Sequence, residues 1–475
     1  MQKTAVQPDL LQSAEAILAR RGGPAALAQA LQDSRRDTLA TFAAYECALP
    51  SLQVPHTPEL NPPLWELGHV GWFQNFWIAR NPVAERLRGR HADPLVPRLA
   101  QAPGHRPEAD ALYDSTRVPH ATRWQLNLPD AKLTRRDLSQ GLAATLELLR
   151  NMATGASESA VPGHPQEIEP GGLVEGAEEG AQNAAQEGTQ DDALYFFRLA
   201  LMHEDMHHEA ALYMAQALGV PVDDPRWQPR TLPEPQPALP VPAGRWLSTR
   251  PEEAGFCFDN ELGEMQQEVS AFEIDPQAVR WAEFLPFVEA GGYEQARWWT
   301  PAGWAWRQTA ALGGTQPPGL AGEVGEARAT GPAAPRYLRR DGRHWQVWRQ
   351  GRWTLLDLAE PACHLTWHEA QAWCAWAGRR LPTEFEWERA ASAHPKVFAW
   401  GAVWEWTASP FAPFPGFEAH PYREYSAPWF DGRPVLKGSS FMTQPRMRHL
   451  RYRNFFEAHR NDVPAGFRTC ALRAA

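Results

Sequence analysis

Up to Gly219 the apolar residues of this 475-residue chain recur at helical spacing, and beyond a proline-rich stretch at 222–243 they do not. A chain this long does not normally share one core. The change of period therefore predicts an α+β multidomain protein: a helical domain at 1–221, a Pro-rich linker at 222–243, and a mixed, loop-rich domain at 244–475. Four long helices are expected in the first part. The first spans 8–47, interrupted by a break at Arg20–Gly23. The stretch "NPPLWELGHVGWFQNFWIARNP" has an Asn-Pro start at Asn61 and Pro62 and a stop at Asn81 and Pro82. A further helix follows Thr134 as its N-cap, and another runs from about Asp192 to Gly219, with acids at its start and glycine at its end. Such a set suggests a four-helix bundle. Residues 154–192, rich in Gly, Ala, Glu and Gln, bury too little to offset their ordering entropy and are expected to form a flexible insert.

The last of these helices contains "LMHEDMHHEA", the literal spacing H-E-x-x-H at His203, Glu204 and His207. Residues four apart project from one helix face, so both imidazoles can grip one ion. His208 lies about 100° round the helix from His207 and is less suited to share it. A solvated histidine-rich surface is the plain alternative, but Leu201, Met202, Ala210, Leu212 and Met214 mark the helix as largely buried. A zinc protease would use Glu204 as general base and need a third ligand further on. The sequence past Gly219 instead becomes proline-rich, which counts against it.

A third histidine lies upstream. His69 sits mid-helix among Trp65, Leu67, Val70, Trp72, Phe73, Phe76 and Trp77, where an unpaired polar group is costly. A satisfied core histidine is the usual explanation. Gly68 and Gly71 beside it, poor helix formers, let something approach the backbone closely. Ligands from facing helices converge inside bundles, so His69, His203 and His207 would make a three-histidine face. Zinc, iron and copper all accept three imidazoles, although zinc has no redox chemistry with which to use the open positions.

Composition narrows the functional classes. A net charge of −10, without an evident basic face, argues against nucleic acid as a principal partner. Five scattered cysteines, none at ribbon or redox spacing, suggest reduced thiols in a cytoplasm. No apolar h-region opens the sequence and no run of 18 apolar residues occurs, so neither export nor membrane insertion is expected.

The pairing of "LWELGHVGWF" with "HEDMHHEAALYMAQALG" resembles the DinB-like helical domain of the ergothioneine-type sulfoxide synthases. The segments "CHLTWHEAQAWCAWAGRRLPTEFEWERAA", "VWEWTASPF", "LKGSSF" and "RYRNFFEAHRNDVPAGFRTC" are similar to the formylglycine-generating-enzyme-like, C-type-lectin-like domain of the same family. The resemblance implies an oxidoreductase that uses iron(II) and dioxygen to join the imidazole carbon of hercynine to a sulfur donor. It implies His69, His203 and His207 as iron ligands. It also aligns Arg453, Asn454, Phe455 and Phe456 with the stretch that contacts hercynine. There Asn454 would hydrogen-bond the substrate and Phe455 would face the trimethylammonium. Within the family, "PPLWELGHVGWFQNFWIARNP" and "NDVPAGFRTCA" look closest to the selenoneine synthase branch, whose donor is a selenosugar. Met206, at a position often occupied by Gln in ergothioneine-type enzymes, is compatible with a different donor.

The residues alone suggest a ligand cleft at the domain interface. Arg448, Arg451, Arg453 and Arg460 either clamp a carboxylate or form a solvated basic strip. Partially reduced dioxygen needs a proton donor, for which Tyr422, Tyr425 and Tyr452 are candidates. Three alternatives stay open: a sulfoxide synthase of ergothioneine or ovothiol type with a cysteine-derived thiol, a zinc hydrolase using Glu204, and a lectin-like binding module. Formylglycine generation is disfavoured, because Cys363 and Cys470 have no recognisable pair spacing.

Overall fold

The structure, a computed structural model, describes residues 13–80, 108–158, 178–248, 255–313 and 333–472. It is mixed helix and sheet, divided into two compact units: Leu18–Ala40 with Asn61–His207, and Met1–Ile17 with Thr41–Leu60 and His208–Ala475. These units do not follow the expected break near residue 221. Three helices are shared between them, and for two of these the reason lies in their side chains. Tyr45 donates to the Ala211 carbonyl at 2.6 Å, and Glu209 accepts from Trp404, Ser440 and Thr443, so the segments holding Tyr45 and Glu209 belong with the second half of the chain.

The helices in chain order are α1 (Ala14–Arg21), α2 (Pro24–Ala48), α3 (Pro63–Gln74), α4 (Ala109–Tyr113), α5 (Ala131–Glu158) and α6 (Glu178–Leu218). Pro62 and Pro63 start α3, as expected from proline's fixed φ and missing donor, and a π-helical turn at Asn75–Ala79 continues it. The expected stop at Asn81 and Pro82 lies outside the described residues. Asp130, not Thr134, caps α5: its carboxylate accepts from the Leu133 N–H at 2.8 Å, while the Thr134 hydroxyl bonds back to the Asp130 carbonyl at 2.9 Å. Helix α6 begins at Glu178 and α5 runs to Glu158, so both ends of the expected flexible insert are helical. Residues 159–177 lie outside the described set.

Within the first unit one side chain joins four helices. Arg35 on α2 reaches Glu204 on α6 at 2.7 and 3.0 Å, Gln74 on α3 at 2.8 Å, and the Leu138 carbonyl on α5 at 2.8 Å. Trp65, Phe73, Trp77, Leu148, Phe196 and Leu201 are buried in the same unit. Gly71 lets α3 approach α5 closely, since a Cβ there would come within 2.9 Å of Leu138.

The second unit holds two four-stranded sheets. One orders Leu239–Val241, Phe272–Ile274, Cys470–Ala471 and Arg379–Arg380; the other orders Asn454–Phe455, Pro434–Lys437, Trp404–Pro410 and Ala465–Gly466. Two T-x-x-E sequences in it form capping boxes, Thr366 with Glu369 and Thr383 with Glu386. The proline-rich segment is an integral part of this unit. Trp227 is buried in it, Leu232 N–H donates to the Ala359 carbonyl, Glu234 pairs with Arg280, and Leu239–Val241 forms a sheet edge. Among the described residues no helix is long and apolar enough to cross a membrane.

Candidate metal centre

Helix α3 carries Glu66, His69 and Phe73 at spacings of three and four, which places them along one face, and α6 carries His203 and His207 at a spacing of four. The structure brings the three histidines together. One ligand atom from each lies within 4.8 Å of the others, and ring centroids are 5.1 Å apart for His69–His203, 4.8 Å for His69–His207 and 4.4 Å for His203–His207.

Two hydrogen bonds fix ring orientation. His69 Nδ1 lies 2.8 Å from the Tyr113 carbonyl oxygen, which can only accept, so Nδ1 carries the proton and Nε2 keeps its lone pair. His207 Nδ1 lies 2.5 Å from a Glu66 carboxylate oxygen, which places a proton on that nitrogen. His203 stacks on Phe73, with centroids 3.4 Å apart and planes within 4°. Gly68 makes the first of these contacts geometrically attainable: a Cβ there would fall 2.2 Å from the Tyr113 ring. The close approach foreseen at Gly68 and Gly71 is thus made by Tyr113 and Leu138.

Burial sets the protonation. It pushes His69 down to about 3, and His207's charge adds to the effect. Burial, followed by His207 and His69, holds His203 well below the usual imidazole range. Glu66 moves down: burial by itself would raise it, but the charge and hydrogen bond of His207, with His69 and Arg123, outweigh that. Burial keeps His69 and His203 neutral, and a carbonyl and a carboxylate hold the Nδ1 atoms of His69 and His207 from behind, an arrangement typical of metal-binding histidines, so these residues fit a metal ion.

Glu204 does not take part. Its carboxylate turns to Arg35, which removes the general base that the H-E-x-x-H hydrolase reading requires. His208 also stands apart, 3.0 Å from Thr41 and 3.3 Å from Gln444. Sequence reasoning missed Glu66, Tyr113 and Arg35. Only Glu66 left a local signal, three residues before His69 on the same helix face.

In the second unit, the segment from Arg448 to Arg460 is arranged differently from expectation. Arg453 is buried, and its guanidinium binds Glu384 at 2.8 and 3.1 Å and the carbonyls of Asn260 and Ala412, so it braces the loop and does not present charge to a substrate. Arg451 pairs with Glu388, Arg460 with Asp462, and Arg448 donates to the carbonyls of Ser440 and Thr443. The four form neither a free clamp nor a solvated strip, because each has a partner inside the fold. Asn454 Oδ1 accepts from the Phe455 N–H at 2.9 Å, Phe455 stacks on Phe411 at 4.0 Å, and the Arg460 guanidinium lies 5.1 Å over Phe456. The tyrosines cluster: Tyr422 and Tyr425 stack at 6.3 Å, Tyr425 faces Phe455 at 6.0 Å, and Tyr425 hydrogen-bonds Tyr452. Burial first, then Tyr452, keeps the Tyr425 phenol well above its ordinary range.

Fold and site together define a chain with a buried three-histidine cluster in a helical unit and a mixed unit built on short sheets. Residues 224–402 match the sulfatase-modifying factor enzyme 1-like domain. Over most of its length the chain is similar to hercynine oxygenases. It is 28% identical to that of Mycolicibacterium thermoresistibile across 94% of both chains, and 27% identical to that of Mycobacterium tuberculosis across 87% of this chain and 91% of the relative. It is also 31% identical to the formylglycine-generating enzyme of Thermomonospora curvata, over 36% of this chain and 52% of that protein. These similarities support the ergothioneine-type sulfoxide synthase superfamily and indicate an oxygen-dependent enzyme, consistent with an oxidoreductase.

Proposed function

We propose that this chain is an iron(II)- and dioxygen-dependent synthase that joins the imidazole carbon of hercynine to a chalcogen donor. The observation that carries the proposal is the buried cluster of His69, His203 and His207, with Glu204 turned away from it. Iron held by these three imidazoles would leave adjacent coordination positions for dioxygen and substrates.

The chain's own residues supply orientation, exclusion of water and protons. Glu66 and the Tyr113 carbonyl hold two imidazoles at their Nδ1 atoms, leaving Nε2 as the atom that would hold the ion. Trp65 and Trp72 stack on His69 at 4.8 and 5.7 Å and Phe73 covers His203, shielding the site from water on that side. Phe455 and Phe456 are proposed as aromatic faces for the trimethylammonium and Asn454 as a hydrogen-bond partner of hercynine. Arg453 then acts by bracing the strand that bears them. Tyr425, which keeps its proton on the phenolic oxygen, is the proposed proton donor, with Tyr422 and Tyr452 packed against it.

For the donor we favour a selenosugar, on the resemblance of the segments around His69 and Asn461 to the selenoneine synthase branch and on Met206 beside His207. A cysteine-derived thiol is the second reading, favoured by the likeness to hercynine oxygenases. Anaerobic loading with iron(II), then air, hercynine and either donor, with products identified by mass spectrometry, tests both. A selenium adduct of hercynine formed only with the selenosugar is expected. A sulfoxide from the thiol alone would replace selenium by sulfur, and absence of product with any donor despite bound iron would overturn the synthase reading.

A further inference from the structure

The second unit contains a chamber built wholly from residues beyond His208, with a cavity volume of about 50 Å³ and a mouth open to solvent. Its walls are mostly apolar and aromatic, with Leu212, Trp227, Trp281, Tyr337, Trp348 and Met442 prominent among them. Two of these carry polar atoms that the fold does not satisfy. Tyr337 is 2% exposed and Trp348 5%, yet neither the Tyr337 hydroxyl nor the Trp348 indole N–H has a hydrogen-bond partner. Leaving a buried donor unmet costs about 1–3 kcal/mol, so two in one chamber need an explanation.

Three other polar side chains of the wall already have partners within the fold. Arg349 binds Glu360 at 3.1 and 2.6 Å, and the Gln350 side chain donates to the Val222 carbonyl at 2.6 Å. Among the described residues four other than glycine have positive φ, and two of them line this chamber: Gln350 at 49°, which with Gly351 forms the two-residue hairpin turn between Arg349 and Arg352, and His364 at 60°. Left-handed backbone such as that at His364 concentrates at ligand sites. Burial raises the Cys363 thiol and pushes the His364 imidazole down to about 4, so at neutral pH the closed Arg349–Glu360 pair is the only charge among these lining groups.

We propose that this chamber binds a small uncharged aromatic molecule bearing a hydrogen-bond-accepting oxygen, its ring against the indoles and its oxygen satisfying Tyr337 and Trp348. A charged ligand would have to open the Arg349–Glu360 pair to find a counter-ion, which opposes it. An aliphatic body would forgo ring contacts with three indoles.

The test uses the full chain and three isosteric probes, benzamide, benzamidinium and benzoate, followed by saturation-transfer NMR and by thermal shift. Benzamide is expected to bind, and the two charged probes to bind at least about tenfold more weakly. Tyr337→Phe and Trp348→Phe should each weaken benzamide about fivefold. Because Tyr337→Phe also removes an unsatisfied buried hydroxyl, the free variant should be no less stable than the parent while its benzamide-induced shift shrinks. Tyr337→Phe deletes a single oxygen, so it decides the matter if Trp348→Phe does not fold. Failure of benzamide to bind the parent protein, equal binding of the charged probes, or unchanged binding in Tyr337→Phe would overturn the proposal.

Discussion

Replacing Glu66 should weaken metal binding without unfolding the helical unit. The Glu66 carboxylate lies 2.5 Å from His207 Nδ1 with its side chain only 9% exposed, so water is poorly placed to take over the contact. Its removal frees the His207 ring to rotate and to exchange tautomers, and it withdraws the negative charge behind the ligand. Partners of this kind are worth roughly 10–100-fold in metal affinity, or about 1.4–2.7 kcal/mol. Glu66→Gln keeps an acceptor oxygen but loses the charge, so it belongs near the tenfold end; Glu66→Ala loses both and belongs near the hundredfold end. The assay is anaerobic competition for iron(II) against a chelator of known affinity, with far-UV circular dichroism and melting temperature as controls. Affinity within twofold of the parent in Glu66→Ala, in a protein of unchanged melting temperature, would refute the role of this contact.

Other perturbations follow from the same geometry. Arg35→Met leaves Glu204 buried and unpaired and should destabilise the protein by about 3–5 kcal/mol, whereas Arg35→Met with Glu204→Met should recover most of that; urea unfolding of the two variants checks it. Gly68→Ala places a methyl group where the Tyr113 ring now sits, 2.2 Å away, so it should displace the Tyr113 carbonyl from His69 and lower iron stoichiometry as measured by elemental analysis. Stability should also fall in acid through His364. Its ordinary value is 6.5 and burial holds it to about 4, so between those values the unfolded ring takes up a proton that the folded ring refuses. The loss begins as pH falls through about 6.5 and levels off below about 4, and His364→Asn should flatten that part of the urea-midpoint profile.

The parts legible in the sequence were those whose cause is local. Pro62 and Pro63 fix the start of α3 by geometry confined to two residues. The cap of α5 was misplaced because Asp130 and Thr134 are both good N-caps one turn apart, and only the path of the chain selects Asp130. Helix α6 starts early because Ala, Glu and Gln favour helix even where their lack of bulk suggests disorder.

At the site, the spacing of His203 and His207 is written in one helix. The Tyr113 carbonyl and the Arg35–Glu204 pair join residues 44 and 169 positions apart, which no local pattern announces. The arginine-rich segment misled for the same reason. A count of arginines does not show that Glu384, Glu388 and Asp462 wait for three of them inside the fold.

The account rests on one ion held by three imidazoles, and iron K-edge X-ray absorption on the anaerobically loaded protein tests that most directly. One iron per chain with three histidine nitrogens in its shell, reduced to two in His69→Ala, is the predicted result. A shell containing the Glu204 carboxylate, or an iron environment unchanged by His69→Ala, would contradict it.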